Sequence, residues 1–155
     1  MWQRIQTVFL LIASAINLLL LGLNMAEIEV GTQVYFFDLF SLKNPETNEV
    51  LHETYFIFPL LLLSVLLSLI IITLYKKRQL QIKLAQLNLF LQLAFIATLF
   101  FIIDDAVSAI QWDGEAVTLY GIGTYLSLLP LVFIYLAVRY IKKDEAMIRA
   151  ADRIR

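Results

Sequence analysis

Three sets of polar residues in this chain have types and spacings that invite chemistry. His52, the single histidine, stands between Glu49 and Glu53. An imidazole flanked by two carboxylates is a start on a metal site, but protein sites usually need several such ligands in fixed geometry. Neither a metal nor any other cofactor is expected. Asp104 and Asp105, followed by Asp113 and Glu115, form a second set. Clustered carboxylates suit a hard divalent cation held by oxygen, and they equally suit the outward face of a membrane protein. The third set comprises the amides Asn17, Gln86, Asn88 and Gln92 and the hydroxyls Ser64 and Ser68, with Pro130, all in otherwise apolar stretches. In hydrocarbon such groups need partners, and they find them by hydrogen bonding between helices.

What is missing narrows the chemistry further. The chain has no cysteine, which excludes disulfides, thiolate metal sites and thiol nucleophiles. It has no glycine-rich phosphate loop, no H-E-x-x-H motif and no local serine–histidine pairing. No catalytic residue is assigned.

The elements that position these residues emerge from the charges. Asp, Glu, Lys and Arg leave four gaps of at least 20 residues: Ile5–Ala26, Thr54–Tyr75, Leu84–Ile103 and Ala116–Val138. A helix needs about 20 apolar residues to cross a bilayer core, and helices satisfy their own backbone where lipid cannot. The composition agrees, at 61% hydrophobic and 16% charged, against roughly 45–50% and about 25% in soluble domains. The expectation is an all-α fold of one domain, a four-helix transmembrane bundle with spans at about 5–26, 54–75, 84–103 and 116–141. Asn24-Met25-Ala26 is a poor signal-peptidase site, so the first span reads as an uncleaved helix. Pro130 falls near the centre of the fourth span and should free a carbonyl on the preceding turn.

Orientation follows from the connections. Eleven of the 12 basic residues lie in three segments: the N-terminus with Arg4, the link carrying Lys76, Lys77, Arg78 and Lys83, and the tail from Arg139. The other two connections are acidic, with Lys43 their one cation. Cytoplasmic segments attract Lys and Arg, which puts both termini inside. Tyr55, Tyr75, Tyr120 and Tyr140 bracket the second and fourth spans, at the interfaces where aromatic rings collect. No Asp, Glu, Lys, Arg or His falls within any of the four gaps, whereas ion pathways and proton relays usually place one there.

Between the first two spans, Val34–Phe40 is rich in strand formers, Asn44-Pro45-Glu46-Thr47-Asn48 has turn chemistry, and Val50–Thr54 could return as a partner strand. A short extracytoplasmic β-hairpin-like loop, resting as a lid on the helices, is expected. Residues 142–155 read as a cytoplasmic helical extension of the fourth span, with Met147, Ala151 and Ile154 on one face and a Glu145–Arg149 pair at i, i+4.

The opening Gln3-Arg4-Ile5-Gln6-Thr7-Val8-Phe9-Leu10 and the closing Ile141-Lys142-Lys143-Asp144-Glu145, with Arg149 and Asp152-Arg153-Ile154-Arg155, resemble a family of small four-helix inner-membrane proteins from Bacteroidetes-type bacteria, known as a domain of unknown function. The resemblance implies a bacterial inner membrane and carries no activity. The residues favour a non-enzymatic accessory or scaffold subunit of a membrane complex, whose partners are the lipid bilayer and another inner-membrane protein, with no nucleic acid. Its docking surface is expected at Arg4, Lys142, Lys143, Met147, Arg149, Arg153 and Ile154. The alternatives are a small transporter with a polar path past Asn17, Gln92 and Pro130, and a membrane enzyme using outer-face carboxylates.

Overall fold

The computed structural model describes residues 5–45, 47, 49–110 and 116–152. Helix α1 (Ile5–Leu19) runs through a 3-10 turn at Leu20–Gly22 into strand β1 (Ala26–Val30). Strands β2 (Gln33–Phe37), β3 (Ser41–Lys43) and β4 (Val50–Glu53) follow, then α2 (Ile57–Thr73) and α3 (Arg78–Ala109). The chain returns to strand in β5 (Ala116–Tyr120) before α4 (Ile122–Leu126) and α5 (Leu128–Asp152).

The fold is therefore not all-α. The strands form one antiparallel sheet in the order β4-β3-β2-β1-β5. The predicted loop strands exist in part, but β4 pairs with β3 rather than with β2. Three strands, β1, β3 and β5, replace predicted helix or connection. β1 reads Ala-Glu-Ile-Glu-Val, a strict alternation that buries Ala26, Ile28 and Val30 and turns Glu27 and Glu29 away. Its two-residue connection to β2 uses Gly31 at φ 62°, a left-handed conformation that costs glycine no Cβ clash. β5 occupies what the charge gap assigned to the start of the fourth span. Its five residues are apolar enough for either helix or strand, and short apolar runs do not distinguish the two. Tertiary pairing decides it: β5 lies along β1 from Ala26↔Tyr120 to Val30↔Ala116.

On the helical side, α1 packs on α2 and α5, and α3 packs on the same two helices. Each presents a stripe at spacings of three and four residues. On α2 this is Ile57, Leu61, Ser64, Ser68 and Ile71, and on α3 it is Gln81, Ala85, Asn88, Gln92, Phe95, Leu99 and Ile103, all buried. That repeat suits knobs-into-holes packing of nearly aligned helices. The stripes meet the buried face of the sheet at one end, where Met25, Ile28, Phe37, Leu39 and Leu42 share a core with Leu61, Val65, Phe95, Leu99 and Ile103. Fully buried side chains such as Phe37 and Phe95 each contribute about 1.5–3 kcal/mol by leaving water. A smaller core at the opposite end joins Leu10, Ile71, Ala85, Ala137, Val138 and Ile141.

One further boundary differs from expectation and one interruption falls where Pro130 places it. α3 continues past Asp104 and Asp105 to Ala109, so those acids lie within the helix rather than beyond it. Helical hydrogen bonding in the fourth predicted span is interrupted at Ser127, between α4 and α5, while Ser127 itself keeps helical dihedrals at φ −62° and ψ −19°. Pro130 is buried three residues beyond Ser127, so the interruption lies on the turn whose carbonyl its missing N–H leaves free.

Candidate functional site

Two places gather the polar residues. The first lies between the two cores. Asn17 Nδ2 donates to Gln92 Oε1 at 3.1 Å and to Ser64 Oγ at 3.3 Å. The Ser64 hydroxyl donates to the same Gln92 oxygen at 3.1 Å. Gln92 Nε2 donates back to Asn17 Oδ1 at 3.4 Å and to the Ser127 carbonyl at 3.3 Å. One amide pair thus ties α1, α2 and α3 to the α4–α5 break, and all four side chains are at most 1% exposed. The chain returns past β5 to make this possible. Thr124 Oγ1 donates to the Met25 carbonyl at 2.6 Å, and Ser127 Oγ to the Thr124 carbonyl at 2.6 Å. The backbone comes so close there that a Cβ on Gly123 would lie 2.7 Å from the Asn24 oxygen, and one on Gly121 2.8 Å from it.

One helical turn further from the sheet, Asn88 Nδ2 donates to Ser68 Oγ at 2.8 Å. Asn88 Oδ1 is buried without a hydrogen-bond donor, as is Gln6 Oε1. Gln86 takes no part. It falls off the stripe formed by Ala85, Asn88 and Gln92 and is only half-buried. Sequence reasoning passed over Gln81, Ser127 and Thr124. Gln81 was findable, since it continues the three-and-four spacing of Asn88 and Gln92, and its amide donates to the Ile71 carbonyl at 3.0 Å. Pro130 pointed to a freed carbonyl on the turn that holds Ser127, whereas Thr124 had no such signal, because its hydroxyl bonds to the distant Met25 carbonyl. The cluster is neutral throughout and holds helices together; none of its groups titrates near neutral pH.

The second place is the end of the molecule away from the sheet. The turn Leu74–Lys77 joins α2 to α3, and Arg78 Nη1 donates to the Asp144 carbonyl of α5 at 3.4 Å. This contact fastens the basic turn to the α5 extension. Lys77, Arg78, Gln79, Leu80 and Lys83 line an open groove of about 410 Å³ there. Beyond it α5 displays Lys142 and Lys143 exposed, with Met147 and Ile148 also exposed. Arg149 is engaged within its own helix, 2.6 Å from Glu145. Arg4, Arg153 and Ile154 lie outside the described residues.

A family model matches the chain over residues 2–154. The chain belongs to the family described as domain of unknown function DUF4293. Both places fall within the DUF4293 match. No curated relative matches the chain.

Further polar contacts lie at the sheet end. His52 Nε2 lies 3.4 Å from Asp105 Oδ2, joining β4 to α3 rather than meeting Glu49 or Glu53. Among the described residues no three His, Asp or Glu side chains gather as metal ligands, and Asp113 and Glu115 lie outside them. Asp38 closes the β2–β3 turn, accepting from the N–H of Phe40 at 2.7 Å and of Ser41 at 2.8 Å, and from Lys43 Nζ at 2.9 Å. Burial pushes its carboxyl up, but the Lys43 and backbone hydrogen bonds outweigh that and hold it below the usual 3.8.

Proposed function

We propose that this protein is a four-pass subunit of the bacterial inner membrane, with both termini cytoplasmic, that serves a membrane complex as a non-enzymatic scaffold. Three helical stretches, Ile5–Gly22, Arg78–Ser108 and Ile122–Ala150, are long and apolar enough to cross a membrane. A fourth, Ile57–Thr73, has 17 residues, within the range of about 17–25 that bilayers accept. Their outward faces carry Leu11 and Leu18, Leu62 and Leu66, Leu87 and Phe90, and Val132 and Tyr135, all exposed. Apolar surface on that scale calls for lipid or protein against it.

The observation that carries the scaffold reading is the Arg78–Asp144 contact. It joins two basic segments far apart in sequence into one surface, from which Met147 and Ile148 project as exposed apolar side chains. A partner in the same membrane meets that surface at high effective concentration, so a modest interface suffices. The test is deletion of Met147–Arg155 followed by native co-purification in mild detergent. Loss of partners that the inserted parent retains supports docking through the tail. Retention of every partner, or a parent that purifies alone, removes it.

A further inference from the structure

The groove beside the α2–α3 turn has the makings of a binding site of its own. Lys76, Lys77, Arg78 and Lys83 fall within eight residues, and no acid occurs between Glu53 and Asp104. Lys77, Arg78 and Lys83 line the groove, with Gln79 as a neutral donor and no carboxylate in the lining. Asp144, the nearby acid of α5, meets Arg78 through its backbone carbonyl. Arg78 uses one N–H on that carbonyl, and a guanidinium has five. The groove therefore presents concentrated positive charge held in place from α5.

Its wall is also partly apolar. Leu80 lines it and is 45% exposed. Leu80, Lys83, Leu87 and Phe90 follow the three-and-four spacing along one exposed face of α3, and Phe90 is 68% exposed. At a rise of 1.5 Å per residue, Phe90 stands about 10 Å along the helix from Lys83. Charge at the turn thus continues directly into an apolar track towards the middle of α3. A ligand complementary to both parts has an anionic head and a hydrocarbon tail.

We propose that this groove binds the headgroup of an anionic phospholipid, with an acyl chain lying along Leu87 and Phe90. The proposal rests on the membrane reading above and is independent of the tail as a docking surface. Basic residues at the cytoplasmic surface attract anionic lipid by about 1 kcal/mol each, so neutralising two predicts a loss of about thirtyfold in affinity.

The experiment uses the full chain purified in mild detergent, with native mass spectrometry and thermal stability as readouts. Phosphatidylglycerol, phosphatidylcholine and inorganic phosphate are titrated in parallel. The expected result is retention of, and stabilisation by, phosphatidylglycerol only. A Lys77→Gln/Lys83→Gln variant, which keeps the Arg78–Asp144 contact, loses that preference, whereas a Lys142→Gln/Lys143→Gln variant keeps it. Equal effects of the two lipids, an unchanged Lys77→Gln/Lys83→Gln variant, or the same effect from phosphate alone would each overturn the lipid site. Fractionation of washed membranes tests the underlying reading separately. A chain released by carbonate refutes membrane insertion itself, and a retained chain without lipid preference refutes only the site.

Discussion

At the scale of single residues, the fold depends on a few polar groups placed where only other polar groups can satisfy them. Asn17 and Gln92 exchange hydrogen bonds in both directions, so their effects on stability should not add. Asn17→Leu leaves Gln92 with Ser64 and Ser127, and Gln92→Leu leaves Asn17 with Ser64 alone. A double-mutant cycle in detergent should give a coupling of about 0.6–1.7 kcal/mol. Strictly additive melting shifts would show that the pair contributes nothing as a pair. Asp38 makes a prediction with a sign. Its folded carboxyl titrates below the usual 3.8, so its contribution is complete above that value and declines as pH falls through the lowered one. Asp38→Asn should lower stability at neutral pH, where the ionised carboxylate contributes fully, and flatten the acid limb of a pH–stability curve so that variant and parent converge at low pH. An unchanged acid limb removes Asp38 as its source.

At the scale of elements, the decisive feature is β5, which separates two helices that charge patterning merges. Ile28 and Thr118 face each other across β1 and β5. The neighbouring Gly121 N–H donates to the Met25 carbonyl at 2.8 Å, which makes Ile28–Thr118 a non-hydrogen-bonded pair with Cα atoms about 4.5 Å apart. That separation lies within disulfide range. Since the chain has no cysteine of its own, an Ile28→Cys/Thr118→Cys variant should oxidise to one intramolecular bond, seen as a mobility shift under non-reducing conditions. If residues 116–120 were helical, no bond would form. The same return requires Gly123, where an added methyl meets backbone and the Met25 sulfur at 2.7 Å. Gly123→Ala should lower stability by about 1–3 kcal/mol, as overpacking does, with a melting curve like the parent's as the refuting outcome.

For the whole molecule, the proposed orientation rests on the distribution of charge and the proposed membrane setting on the exposed apolar faces. Single cysteines at Glu49 and Gln79, both exposed, separate the two ends. With intact spheroplasts an impermeant maleimide should label position 49, and position 79 only after lysis. Labelling of position 79 from outside would invert the topology.

The division between what the sequence determined and what the tertiary structure decided follows the range of the forces involved. Hydropathy and charge are additive along the chain, so the apolar helices, the basic turn and the basic tail were all legible without coordinates. So were Asn17, Ser64, Ser68, Asn88 and Gln92 as polar residues among apolar ones, and their spacing could have added Gln81. Local propensity does not carry the pairing of β1 with a strand that follows two long helices, because ladder hydrogen bonds form only once those helices have brought the strands together. That is why Ala116–Tyr120 read as the start of a helix and why an all-α fold was expected. Ser127 joined the polar cluster for the same reason: its carbonyl accepts from Gln92 only because α3 and α5 pack side by side. The Arg78–Asp144 contact, which assembles the proposed docking end, likewise exists only because α3 and α5 pack side by side.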